Sequence, residues 1–103
     1  MPKGYLISIL NVHDMDGFGL YVKTVAPMLQ ARGAQMLVNA PTTPQNIREM
    51  ANASIPKGSN MVVIEFPSLE DATDFYESPE YQKAIQLRTP ASDATFLLLP
   101  GML

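Results

Sequence analysis

Val62-Val63-Ile64-Glu65-Phe66-Pro67-Ser68-Leu69-Glu70, followed by Phe75-Tyr76-Glu77-Ser78-Pro79-Glu80-Tyr81-Gln82, decides how this chain folds. Met61 to Phe66 is a short apolar, β-branched run closed by a proline, which reads as a buried strand. Ser68 follows with Asp71 three positions on, the pattern in which a serine and an acidic side chain satisfy the free N–H groups of a helix start. Ser78-Pro79 repeats the signal, because proline at the first helical position lacks only an N–H that would have no partner there. A strand, a turn and two capped helices are therefore expected in immediate succession.

Working outward, Tyr5 to Val12 reads as the first strand. Asp14 or Asp16 caps a helix running to about Arg32, with Phe18, Val22, Val25 and Leu29 as its apolar stripe. Gly17 and Gly19 weaken the first turn, Pro27 is expected to kink the helix near Lys23, and Gly33 ends it. Ala34 to Asn39 is the second strand. Pro41 to Asn60 has two readings. Thr43-Pro44 with Ile47, Met50 and Ala51 on one face suits a short extra helix; the alternative is a loop or hairpin arm. Pro56-Lys57-Gly58-Ser59 is a turn. Downstream, Pro79 to Arg88 is helical, Thr89 to Asp93 is loop, and Ala94 to Leu99 is the last strand, stopped by Pro100-Gly101. The order strand, helix, strand, strand, helix, strand is the split βαβ, ferredoxin-like arrangement of an α+β protein. It predicts one domain over residues 1–103, a four-stranded antiparallel sheet with helices on one face, and a second face in need of cover.

Composition narrows the partners. The chain has 103 residues, 47% of them hydrophobic, which suits one globular domain with a modest core. Net charge is −3, and the Lys and Arg residues, 7 in all, are scattered without a basic stripe. Nucleic acid and anionic membranes are therefore not expected partners. Cysteine is absent, which rules out disulfide and thiolate chemistry and suits a cytoplasmic location. The apolar run from Tyr5 to Leu10 is too short for a leader or a membrane span.

Period-two alternation sorts the strand residues by face. Leu6, Ser8, Leu10 and Val12 oppose Tyr5, Ile7, Ile9, Asn11 and His13. Val62, Ile64 and Phe66 oppose Met61, Val63 and Glu65, and Ala94, Phe96 and Leu98 oppose Thr95, Leu97 and Leu99. The more apolar sets should meet the helices. With the first and third strands as parallel central neighbours, Asn11, His13, Glu65, Gln35 and Thr95 converge at one end of the other face. Apolar walls with a few converging polar groups suit a small-molecule site. Tyr81, Ile85 and Arg88 share a helix face, and Arg88 would bring a cation suited to a carboxylate towards that mouth.

The catalytic candidates are His13, the side chain whose ordinary pKa lies nearest neutrality, and Glu65 as its orienter or a second base. Asn11, Gln35, Arg88, Thr95 and Tyr81 are the substrate-binding candidates. Each has a plainer reading. His13 suits a surface histidine beside Asp14, Glu65 an ion pair with Arg88 or another cation, Arg88 a helix-dipole partner, and Tyr76 and Tyr81 core aromatics. Gly17-Phe18-Gly19 lacks the third glycine of a dinucleotide loop, with Val22 in its place. One histidine and one glutamate fall short of a catalytic zinc site, and no metal or other cofactor is expected.

Lys3-Gly4-Tyr5, Gly33-Ala34, Leu37-Val38, the Val62 to Ser68 strand, the Ser78 to Gln82 helix start, Leu87-Arg88, Asp93-Ala94 and Gly101 together resemble domain-of-unknown-function family 1330. That is a group of small bacterial proteins in the dimeric α+β-barrel superfamily. The resemblance implies a homodimer in which two sheets pack face to face. By analogy with isomerases, monooxygenases and cyclases of the superfamily, it also implies a cofactor-independent enzyme acting on a small aromatic or carbonyl metabolite. The alternative is a non-catalytic homodimer that binds a small ligand or serves a stress role. Asn39-Ala40-Pro41 departs from the arginine and glycines frequent in the family at that place, and the segment through Asn60 is longer than usual.

Overall fold

The computed structural model describes residues 2–41 and 59–102. In chain order they form β1 (Gly4–Val12), α1 (Met15–Ala31), β2 (Gln35–Pro41), β3 (Asn60–Phe66), α2 (Leu69–Glu77), α3 (Pro79–Arg88) and β4 (Ser92–Pro100). The question of an extra helix or an arm after Pro41 falls outside the described residues.

Local chemistry sets these boundaries. The Asp14 carboxylate accepts from the Gly17 N–H at 3.1 Å and caps α1, which runs as one helix through Pro27. Gly33, at φ 70°, makes the left-handed turn that ends it. Ser68 Oγ accepts from the Asp71 N–H at 3.0 Å and donates to the Asp71 carboxylate at 3.0 Å. Ser78 closes α2 and opens α3: its hydroxyl donates to the Phe75 carbonyl at 2.8 Å and accepts from the Tyr81 N–H at 3.2 Å. Its backbone is extended (φ −61°, ψ 144°), as Pro79 requires of the preceding residue.

The strands make one sheet in the order β2-β3-β1-β4, and every neighbouring pair is antiparallel. The parallel pairing expected of β1 and β3 is therefore wrong. β2 folds back antiparallel on β3, and β3 lies antiparallel between β2 and β1, so β1 runs parallel to the non-adjacent β2. A helical crossover joining two parallel strands with an antiparallel strand between them is the split βαβ unit itself. This is the ferredoxin-like α+β fold.

The face assignment from alternation holds. Leu6, Leu10, Val62, Ile64 and Phe66 are buried beneath the helices with Tyr21, Val25, Phe75 and Tyr81. α2 lies close on β1, β4 and β3, whereas α1 leans against α3. Gly4 starts β1 directly under the first turn of α2, where a Cβ would run into the Ser68 carbonyl and the Leu69 backbone. The stripe of α1 differs by one position from expectation. Tyr21 is buried with Val25, Phe18 and Leu29 are partly buried, and Val22 is 49% exposed. No described helix is long and apolar enough to cross a membrane.

Candidate functional site: a cavity beneath the first helix

Ser8 sits at the middle of β1, on the helix side, with Val62 and Phe96 as its cross-strand partners. It is small, and α1 above it leans towards α3, so the space over the sheet is not filled. A cavity of about 260 Å³ results. Its floor is Leu6, Ser8, Leu10, Val62, Ile64 and Phe96, and its roof is α1 from Met15 to Leu29. Phe75 and Tyr81 close it on the side of α2 and α3, and Met36, Asn39 and Asn60 line it from β2 and β3. The walls are overwhelmingly apolar.

One wall carries a polar relay. The hydroxyls of Tyr21 and Tyr81 are 2.7 Å apart and buried, and Arg88 Nη1 donates to the Tyr81 hydroxyl at 2.9 Å. The spacing of Tyr81 and Arg88, two helical turns apart, places both on one face of α3, as the sequence indicates. The Arg88 guanidinium also stacks 4.0 Å from the centroid of Phe96. Tyr81 is fully buried among Phe75, Tyr76 and Tyr21, with ring centroids 4.5, 5.1 and 6.2 Å away. Burial pushes the Tyr81 and Tyr21 phenols above their ordinary pKa, so both are neutral donors at physiological pH. Among the described residues no carboxylate pairs with Arg88, whose charge faces phenols and an aromatic ring.

The residues expected to converge on the other face divide between its two ends. Glu65 is opposite Tyr5 on one side and Gln35 on the other, and its carboxylate accepts from the Tyr5 hydroxyl at 2.9 Å. That hydrogen bond pushes the Tyr5 phenol up in pKa. Asn11 is opposite Asp93, and Thr95 opposite Ile9, at the far end of β1. His13 follows there, its N–H donating to the Ala91 carbonyl and its side chain exposed. At ~3.3 Å per residue, Tyr5 and His13 are about 26 Å apart along the strand. His13 and Glu65 of one chain therefore cannot share a proton, and the predicted convergence fails because β3 runs opposite to β1. The ion pair of Glu65 with Arg88 fails too, since Arg88 packs on Phe96 on the helix side.

Of the predicted site residues only Tyr81 lines the cavity, with Arg88 bonded directly behind it. Tyr21, Ser8 and Phe96 were missed as site residues. Tyr21 had a legible signal: it lies three residues after Phe18 and four before Val25, on the buried side of α1.

A ferredoxin-like α+β domain with a hydrophobic cavity between sheet and first helix is the class that fold and site define. Within that class the chain belongs to the family described as Domain of unknown function (DUF1330), whose model matches residues 3–102. No curated protein matches it. Among solved structures it is similar to RPA0582, a protein of unknown function from Rhodopseudomonas palustris (TM-score 0.71, 13% identity, 99% of this chain and 84% of that one). It is also similar to SnoaB, a cofactor-independent oxygenase from Streptomyces nogalater (TM-score 0.65, 10% identity, 100% and 96%). A third is a dimeric ferredoxin-like protein of unknown function from Thermobifida fusca (TM-score 0.57, 10% identity, 96% and 91%). At these identities the likeness concerns the fold.

Proposed function

We propose that this protein binds a small, largely apolar metabolite in the cavity beneath α1. The observation that carries the reading is the cavity itself, about 260 Å³ with apolar walls and a phenol pair backed by a guanidinium on one of them. Apolar enclosure supplies affinity, and a few placed polar groups supply orientation. The ligand site thus lies on the helix side of the sheet, built around Tyr81 and Arg88. Asn11, His13, Gln35, Glu65 and Thr95 lie away from it.

Independently of the cavity, the open sheet face supports a homodimer, and the absence of cysteine suits a cytoplasmic location. Ile7, Ile9, Met61 and Val63 lie on the open face with Val38, Leu97 and Leu99, and the last three are 42%, 50% and 44% exposed. An apolar face of this extent calls for a covering surface, and the likeness to a dimeric relative favours a second copy.

Cofactor-independent turnover of the bound molecule is the second reading, favoured by the likeness to SnoaB. In that case Tyr21 and Tyr81 stabilise negative charge on the substrate as neutral donors. Among the described residues the polar side chains at the cavity wall are hydroxyls and amides, which suit orienting a bound molecule.

The test is a thermal-shift screen against aromatic ketones, lactones, phenols and small carboxylates, run in parallel with Ser8→Leu. A ligand at a hundredfold over its Kd stabilises by about 2.7 kcal/mol. Leucine at position 8 fills the cavity floor, so the free variant should melt at or above the wild-type temperature while losing every ligand shift. Shifts that persist undiminished in a folded Ser8→Leu protein would place the ligand elsewhere. Oxygen uptake or product formation with a hit decides between binding and turnover.

A further inference from the structure

The relay on the cavity wall has one proton too many for its own hydrogen bonds. Tyr21 and Tyr81 carry one hydroxyl proton each, and the 2.7 Å bond between them uses one, whichever donates. Arg88 is a donor only: at 2.9 Å it takes a lone pair of the Tyr81 oxygen and accepts nothing. One hydroxyl proton is left without an acceptor among the described residues, and both tyrosines line the cavity. Either hydroxyl can be the donor, and Arg88 acts on both phenols, so the left-over proton belongs to the pair.

Resting on the proposed cavity function, we propose that the ligand is an apolar carbonyl compound whose oxygen, as ketone or as the derived enolate, accepts the left-over proton of the Tyr21–Tyr81 pair. The cation behind the pair strengthens this bond most when the oxygen carries negative charge. An amine or ammonium headgroup would present a further donor to a site that already has a surplus, and it would meet Arg88 charge to charge.

Two isosteres separate this chemistry from simple apolar filling: 2-acetylnaphthalene, and 2-isopropenylnaphthalene, in which a methylene replaces the carbonyl oxygen. Their affinities are measured by calorimetry on the wild type, on Tyr21→Phe, on Tyr81→Phe and on the double variant. Proton counting predicts a non-additive result. Each single variant keeps one free hydroxyl proton, so its preference for the ketone over the alkene falls about threefold or less. The double variant keeps no hydroxyl proton, and because Arg88, freed of its acceptor, does not itself line the cavity, its preference falls roughly tenfold or more, with alkene affinity little changed. The infrared carbonyl stretch of bound 2-acetylnaphthalene in the wild type is a second readout that does not depend on any variant folding. It should move to lower frequency than in an alkane solvent. An unshifted stretch, or an unchanged ketone preference in the folded double variant, overturns the proposal. If neither isostere binds the wild type, the carbonyl proposal falls, and the cavity reading is decided separately by the wider screen against Ser8→Leu.

Discussion

Ser8 and the two tyrosines show how single side chains define this protein. A serine between Val62 and Phe96, in a row that otherwise reads as core, leaves room where leucine would have closed it. Tyr21 and Tyr81 place their hydroxyls in that apolar space, and burial drives both phenols up in pKa. The consequence for stability has a definite sign. Below about pH 10 the phenols keep their protons in both folded and unfolded chains. Above it the unfolded chain releases protons first and then binds fewer than the folded one, so stability falls as pH rises. Urea midpoints followed from neutrality to about pH 11 should decline, and decline less in the Tyr21→Phe, Tyr81→Phe double variant. Tyr5, also raised through Glu65, is common to both proteins and cancels. Equal slopes would mean that the buried pair is not held neutral.

Among the elements, the α2–α3 corner has the clearest dependence on one residue. Ser78 serves both helices through one hydroxyl, and that corner sets the start of the helix carrying Tyr81 and Arg88. Ser78→Ala should cost about 1 kcal/mol, seen as a lower urea midpoint at unchanged slope. Ser78→Asp should recover most of it, since aspartate also accepts from the third-position N–H. A loss no smaller in Ser78→Asp than in Ser78→Ala would show that the hydroxyl's role is not capping. These element boundaries were legible in the sequence. Asp14, Gly33, Ser68 and Ser78-Pro79 act on backbone groups only a few residues away, and alternation placed Leu6, Ser8, Val62 and Phe96 correctly on the helix side. The burial of Tyr21 was readable from its spacing to Phe18 and Val25, although Val22 competes for the same stripe.

For the whole molecule, the open sheet face is the dominant feature. Light scattering at micromolar concentration should give twice the monomer mass. Leu97→Glu, which sets a charge among Ile7, Leu99 and their neighbours, should give a monomer that keeps its helical circular dichroism. A monomeric wild type would remove the homodimer reading and leave the cavity reading untouched, because the cavity lies on the opposite side of the sheet.

By itself the sequence determined where α2 and α3 begin, the strand starts to within two residues (the last strand opens at Ser92, inside the expected loop), which side chains share a face, and that one face of the sheet is left apolar. All of these follow from interactions between near neighbours, or from a period of two. The direction of β3 against β1 was decided only by tertiary structure, and with it the separation of His13 and Asn11 from Glu65 and Gln35. So was the lean of α1 towards α3, which opens the cavity. The contact of Tyr21 with Tyr81, sixty positions apart, is of the same kind. Local propensity is indifferent to strand direction and to a helix's distance from the sheet, because both depend on how the complete set of elements buries its apolar faces together.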